Sequence, residues 1–535
     1  MANVVVHKAR IGCVEFRSRD GVVFVSVIVR YYDAFGRDAG YALNGVRQSA
    51  LSYDAATGRL STMRIGDASS NWSCGVLAAP EFSWNYLVGS DLKQSLAYPN
   101  GLTASWTYGN RGELLEVNNA SPTGTISRYA YTYDAAGRRV ACAKSGTAFE
   151  QSDSVNYGYN ARSELTSATA AVDSDYRYGY NFDDIGNRRS SLERRVQSAE
   201  YEANSLNQYT AIDDFTPQYD ADGNQTLVKT ATGIWQITYN GENRPVRWEN
   251  GDSVITMSFD RMGRRVTKND QRFVYNGADN NGNTYAWDPF EMVSTRPLVW
   301  CRDSDVFRYF YDGNKNVSEI VATSGNIEAH YEYVPFGEIL VGDGVCAIAN
   351  PWRFSGEYAD NETDLVYYNF RFYDAHAGRW MSREEESIDT LNTYLFLNNQ
   401  AGLSADRLGL YDEYVHFYFI YGAMIDLGWS PSDALKIAQW SQGADNGGGA
   451  WDAMYHYWWP FDSERNEYRE VLHNLNSLTP SQAAAFRACL LCLLRQFKNQ
   501  SNLELVGILL HVIADTYSHS DPRGYTYDNT AVPFG

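Results

Sequence analysis

The sequence predicts a mainly β chain, a long series of β-hairpins followed by a separate all-α domain. Three observations predict it. One aromatic phrase recurs across the first three-quarters of the chain, part of it at a fixed spacing, and it stops after Leu410, where helical periodicity begins. A fixed spacing near 20 residues marks a repeat architecture in which each unit buries its apolar face against its neighbours. Composition agrees: 40 Tyr and 43 Gly against 14 Pro among 535 residues favour strands and tight turns.

The phrase reads RYYDAFGRDAGYAL at 30–43, LSYDAATGRLSTM at 51–63, YTYDAAGRRVACA at 131–143 and YNFDDIGNRRSS at 180–191. It continues as PQYDADGNQTLV at 217–228, ITYNGENRPVRW at 237–248, MSFDRMGRRVTK at 257–268 and YFYDGNKNVSEIV at 309–321. Tyr219, Tyr239 and Phe259 stand 20 residues apart. The aromatic-x-aromatic start alternates as a strand with one buried face. Asp or Asn followed by Gly supplies the turn, because both tolerate positive φ and the Asx side chain bonds local backbone. The residues after Gly alternate again. Each unit is therefore expected to be a hairpin, and stacked hairpins make a long sheet that must close or curl to hide its edges.

The net charge of −20 works against non-specific gripping of phosphate backbones, which needs Lys and Arg. Seven scattered cysteines do not form a disulfide framework, and Cys489 and Cys492 in ACLLCLLRQF read as core thiols. MANVVVHKARIGCVEF lacks the pattern of a secretory leader, and no run of about 18 apolar residues suggests a membrane helix.

These phrases are YD repeats, and the chain resembles RHS-repeat proteins. The segment NPWRFSGEYADNETDLVYYNFRFYDAHAGRWMSRE at 350–384 resembles the RHS-associated core, and LNTYLFLNNQAGLSADRLGL at 391–410 resembles its closing motif. The resemblance covers residues 30–410. It implies a sheet wound into a hollow shell (residues 1–349), a core segment acting as plug and aspartyl-type autoprotease (350–410), and a C-terminal toxic domain (411–535) freed by cleavage after Leu410. Aspartyl chemistry needs two carboxyls sharing a proton. Asp406 is one candidate. Glu384 stands where the family pattern has Asp, which moves the acid by one methylene. The resemblance also implies a cognate immunity protein and a delivery-machine component, type VI or Tc-toxin-like, that carries the chain into target cells.

From Tyr411 the periodicity is helical. Ser430-Pro431 with Asp433, and Thr479-Pro480, are helix starts. This part holds 14 Asp/Glu against 7 Lys/Arg, which makes nucleic acid a poorer target than phospholipid. HVIADTYSHS at 511–520 places His511, Asp515 and His519 four residues apart on one face of an apolar helix. A carboxylate there needs a partner, and His and Asp at this spacing clamp zinc or a similar divalent ion. His416, Gln442 and Asp445 are further candidate ligands. HFYFIYGAMIDLGWSPSDALKIAQWSQGADN and LLHVIADTYSHS resemble a family of helical proteins distantly similar to zinc phospholipase C and S1-type nuclease folds. The expected effector is thus a divalent-metal hydrolase, phospholipase- or phosphodiesterase-like. Two alternatives belong to other classes: a non-catalytic carrier, and a carbohydrate-binding surface protein.

Overall fold

The computed structural model describes residues 8–401 apart from 18–22, 36, 44, 67–80, 195–196, 261–263, 274–281, 292–294, 303–304 and 384–391. By its contacts the chain divides into two units, residues 1–87 with 92–411, and residues 88–91 with 412–535. The expected all-α domain lies outside the described residues.

Among the described residues the strands form five antiparallel sheets of four, fourteen, seven, six and four strands. In each, hydrogen-bonded neighbours are consecutive in sequence. That is the result expected of stacked hairpins: every strand inside a sheet pairs with the one before and after it, so no crossover is needed. The three α-like elements are single 3₁₀ turns, such as Leu397–Asn399.

The repeat works through one turn. Asp134 Oδ1 accepts the backbone N–H groups of Ala136 and Arg138 at 2.9 Å, and Oδ2 accepts Arg138 Nε at 2.7 Å. Asp183 with Asn187, Asp220 with Asn224, Asp260 with Arg264 and Asp312 with Asn316 repeat the arrangement. This explains the Arg or Asn after Gly: it is the side chain that closes the second carboxylate oxygen. The intervening residue needs positive φ. Gly137 and Gly223 adopt 81° and 85°, and Asn207 and Asn243 take the same place at 62° and 56°.

A second rule links successive hairpins. The aromatic just before the Asx residue donates its hydroxyl to the carbonyl of the first residue of the preceding strand. Tyr133 reaches Leu114 and Tyr159 reaches Arg139 at 2.7 Å, and Tyr239 reaches Gln225 at 3.0 Å; Tyr333, which precedes Val334 instead, reaches Val317 at 2.9 Å in the same way. In these hairpins the hydroxyl thus finds a partner at the half-buried end, although Phe182 and Phe259 hold the same position without one.

Burial follows the one-face expectation in the fourteen-stranded sheet, where Arg177–Phe182 alternates exposed and buried positions. The six-stranded sheet departs from it. Asp305–Tyr311 is buried at every residue after the first, and Val317–Ala322 at every residue before the last. Both faces are covered. Phe310, Val299 and Val321 pack with Phe82, Trp84 and Leu96 of the fourteen-stranded sheet. Tyr309, Tyr311 and Ile320 pack with Trp248 of the seven-stranded sheet and with Tyr367 and Phe372 of the last one. Two-sided burial replaces alternation with a continuous apolar run.

Cys142 and Cys346 are buried free thiols, whereas Cys301 is disulfide-bonded, which the scattered spacing did not indicate. No described helix is long and apolar enough to cross a membrane.

Candidate functional site

The last sheet belongs to the segment that resembles the RHS-associated core. Its strands Tyr358–Asp360, Leu365–Tyr368, Arg371–Asp374 and Arg379–Trp380 are short because the turns NETD, NF and AHAG interrupt them. They close over an aromatic knot. Tyr373 and Phe396 rings lie 4.0 Å apart, and Trp380 meets Tyr368 edge-on at 5.0 Å. Such pairs add to the area they bury.

Polar side chains of this segment then plug into the hairpin turns. Asn392 Nδ2 donates to Asn187 Oδ1 at 2.8 Å, Tyr394 Oη donates to the Gly223 carbonyl at 2.6 Å, and Asn399 Nδ2 donates to the Gly186 carbonyl at 2.8 Å. Gly186 and Gly223 are the positive-φ residues of their turns. The closing Asn-x-Tyr-x-Phe…Asn-Asn motif is therefore a set of keys for the exposed carbonyls and amides of YD turns. Arg379 Nη2 donates to the Asn207 carbonyl at 2.6 Å in the same way.

The strongest anchor is ionic. Asp360 receives Arg265 Nη1 at 2.6 Å and Lys268 Nζ at 2.7 Å. Arg265 and Asp360 are each 1% exposed. Burial pushes the Asp360 carboxyl up, but the Arg265 and Lys268 charges reverse this and hold it below its usual value. Arg265 is caged by the rings of Phe273, Tyr358 and Tyr367 at 4.4 to 4.6 Å. It is the second Arg of a Gly-Arg-Arg. The first, Arg264, serves its turn, so the doubled cation splits into an outer turn-closing Arg and an inner one.

A second buried constellation ties the fourteen-stranded sheet to the six-stranded one. Glu319, fully buried, accepts Ser127 Oγ at 2.6 Å and Ser318 Oγ at 2.9 Å, and faces His330 Nδ1 at 3.1 Å. His330 Nε2 lies 3.6 Å from Glu332, which also pairs with Lys144. Burial pushes His330 down, but the Glu319 hydrogen bond and the Glu319 and Glu332 charges outweigh it and raise it to about 9. Glu332, whose burial alone would raise it, is held near about 2 by His330 and Lys144. The Ser127 hydroxyl bonds the carboxylate rather than the imidazole, so this is a charge clamp and not a nucleophile triad.

Glu193, Glu338 and His376 bring donor atoms within 4.8 Å of one another. His376 pairs with Glu338 at 3.4 Å, and the buried Arg188 guanidinium donates to the His376 carbonyl at 3.0 Å. None of the three was expected as a ligand.

The expected site residues Glu384, Asp406, His416, Gln442, Asp445, His511, Asp515 and His519, with the cleavage point at Leu410, lie outside the described residues. The chain reaches this region from Arg383, which approaches the Ala221 carbonyl at 3.4 Å, and from Ala401, which is buried beside Val155, Leu165 and Phe336. Sequence reading missed the clamp. It also missed the inner arginines, although the doubled cations in AAGRRV and RMGRRV were visible.

The family model described as Teneurin YD-shell matches residues 108–402, more than half the chain. The tRNA3(Ser)-specific nuclease WapA of Bacillus spizizenii is 26% identical over 259 residues, 43% of this chain and 11% of that protein. Double-stranded DNA deaminase toxin A of Burkholderia cenocepacia is 25% identical over 322 residues, 48% of this chain and 22% of that protein. Among solved structures, the crystal structure of TcdB2-TccC3-Cdc42 superposes with a TM-score of 0.60 at 18% identity, covering 72% of this chain and 22% of that one. The chain thus spans only 11 to 22% of the length of these relatives, and the fold, not the activity, is what the structural likeness carries. On the extent of the family match, the chain belongs to the Teneurin YD-shell family.

Proposed function

We propose that this chain is a toxin of the YD-shell type. The sheets form a casing, the segment from residue 350 closes it, and the part beyond Leu410 is an effector released by self-cleavage. The observation that carries this reading is the keyed seat of the core segment. It is fixed by Asp360, Asn392, Tyr394 and Asn399, and it leaves Ala401 4% exposed, so the chain runs on toward residue 410 from a buried position. Relatives named as toxins and nucleases support it.

Cleavage after Leu410 would use Asp406 and Glu384 as a pair sharing one proton, one activating water and the other protonating the leaving amine. The effector is a divalent-metal hydrolase, with His511, Asp515, His519, His416, Asp445 and Gln442 as the candidate zinc ligands. A bound metal would bring water toward neutral pKa for attack on an ester or phosphodiester. The relatives' nuclease name supports the phosphodiester branch, while the acidic balance of residues 411–535 weighs toward phospholipid. A cognate immunity protein and a delivery component are the implied partners.

Intact mass and elemental analysis of the purified full chain test this, with Asp406→Asn and His511→Ala beside wild type. A break after Leu410 that Asp406→Asn abolishes, and a metal equivalent that His511→Ala loses, is the expected result. One uncut, metal-free species would refute it and leave a non-catalytic carrier.

A further inference from the structure

Three inner arginines follow the closing residue of a YD turn, and each stacks on an aromatic ring: Arg139 over Tyr131 at 3.9 Å, Arg188 over Tyr180 at 4.7 Å and Arg265 over Tyr367 at 4.4 Å. Two are matched by the core segment. Arg265 meets the Asp360 carboxylate, and Arg188 meets the His376 carbonyl. Arg139 meets neither. It is 7% exposed, and its Nη1 donates to Asn314 Oδ1 at 2.5 Å. Its Nε has no partner, and no carboxylate lies within ion-pair distance among the described residues.

Arg139 instead lines a cavity of about 90 Å³. Tyr129, Tyr157 and Tyr176 line it too, and none of their hydroxyls has a hydrogen-bond partner among the described residues. Burial raises all three well above the usual tyrosine range, so they stay protonated and available as donors. The two carboxylates in the wall are already used. Asp312 accepts the Asn314 and Asn316 amides, and Glu332 holds Lys144 and His330. The cavity therefore has unmatched hydroxyl donors and a guanidinium whose counter-charge in the wall, Asp312, stands beyond ion-pair distance and is already engaged by Asn314 and Asn316. A buried charge so placed calls for an anion.

We propose that this cavity binds a small planar carboxylate, of acetate to propionate size, held by Arg139 and the Tyr129, Tyr157 and Tyr176 hydroxyls. Arg265 with Asp360 is the internal precedent for a carboxylate at an inner arginine of this repeat, and the guanidinium fork matches a planar carboxylate in two parallel bonds. Size sets the upper limit, because a cavity of roughly 150 Å³ is what accepts a benzene ring. None of its lining residues is one of the proposed self-cleavage or effector residues.

The test is calorimetric titration of the full chain with acetate, inorganic phosphate and benzoate. The variants are Arg139→Gln and, because a buried Arg supports packing as well, the ring-preserving Tyr157→Phe and Tyr176→Phe. One equivalent of acetate should bind, with phosphate and benzoate at least about tenfold weaker. Each Tyr→Phe should weaken acetate about fivefold, the worth of one hydrogen bond, and Arg139→Gln should abolish it. No acetate binding to wild type, preference for phosphate, or unchanged affinity in both Tyr→Phe variants overturns the proposal. An adventitious additive only is the reading if acetate binds all variants alike.

Discussion

His330 should make the fold's stability fall as pH rises from 6.5 to 9. It sits between Glu319 and Glu332 at 3.1 and 3.6 Å and is 8% exposed. Burial works against its positive charge, but the two carboxylates prevail and raise it to about 9. Against an ordinary value near 6.5, that gap is worth about 3 kcal/mol. Glu332, near about 2, reports the same contacts from the other side, so the two are not added. The raised histidine contributes fully below about pH 6.5 and its contribution is lost as pH climbs through about 9. The depressed Glu332 contributes above about pH 4.5 and loses its share as pH falls through about 2. The clamp is therefore strongest between about pH 4.5 and 6.5. Urea unfolding followed by tryptophan fluorescence at pH 6.5 and 9 should show wild type losing most of about 3 kcal/mol, and His330→Gln losing little because it starts that much weaker. A His330 imidazole resonance titrating near 6.5 in the folded protein, or the same pH slope in His330→Gln, would refute the reasoning.

Other sites give sharper local tests. Asp360→Asn takes the carboxylate from the buried Arg265 and leaves Lys268 only the exposed Glu362, and should cost about 3–5 kcal/mol, seen as early proteolytic cutting within residues 350–401. Tyr159→Phe removes one hydroxyl bond to the Arg139 carbonyl and should cost about 1 kcal/mol in urea unfolding. Gly223→Ala should be worse than that, because its φ is 85° and a Cβ would meet Arg383 Nε at 2.1 Å and Tyr394 Oη at 2.7 Å; a melting temperature unchanged from wild type would contradict it.

The hairpins were legible because their cause is local. Asp134, Gly137 and Arg138 define a turn within five residues, and Tyr131 and Tyr133 alternate on the strand that enters it. Two-sided burial of Asp305–Tyr311 was not legible from alternation, since what covers the second face is Trp248 and Tyr367, distant in sequence. The clamp was hidden for the same reason. Ser127, Lys144, Glu319 and Glu332 come from two sheets, and no spacing along the chain relates residues 127 and 319.

The closing motif shows how a local rule becomes a long-range one. At two YD turns the positive-φ residue presents its carbonyl to the core segment. Gly186 and Gly223 do so, and in a lone hairpin water would satisfy them. Asn399 and Tyr394 take water's place from more than 170 residues away. A segment with donors at these spacings fits only where such turns already stand in a row. The repeat therefore provides the seat for residues 392–399, whose asparagines and tyrosine hold the segment in position. The acids that would cut, Glu384 and Asp406, flank this keyed stretch in sequence. Loosening a key such as Asn399→Ala should then slow cleavage after Leu410 while leaving both acids in place, and a cleavage rate equal to wild type would separate the seat from the cutting.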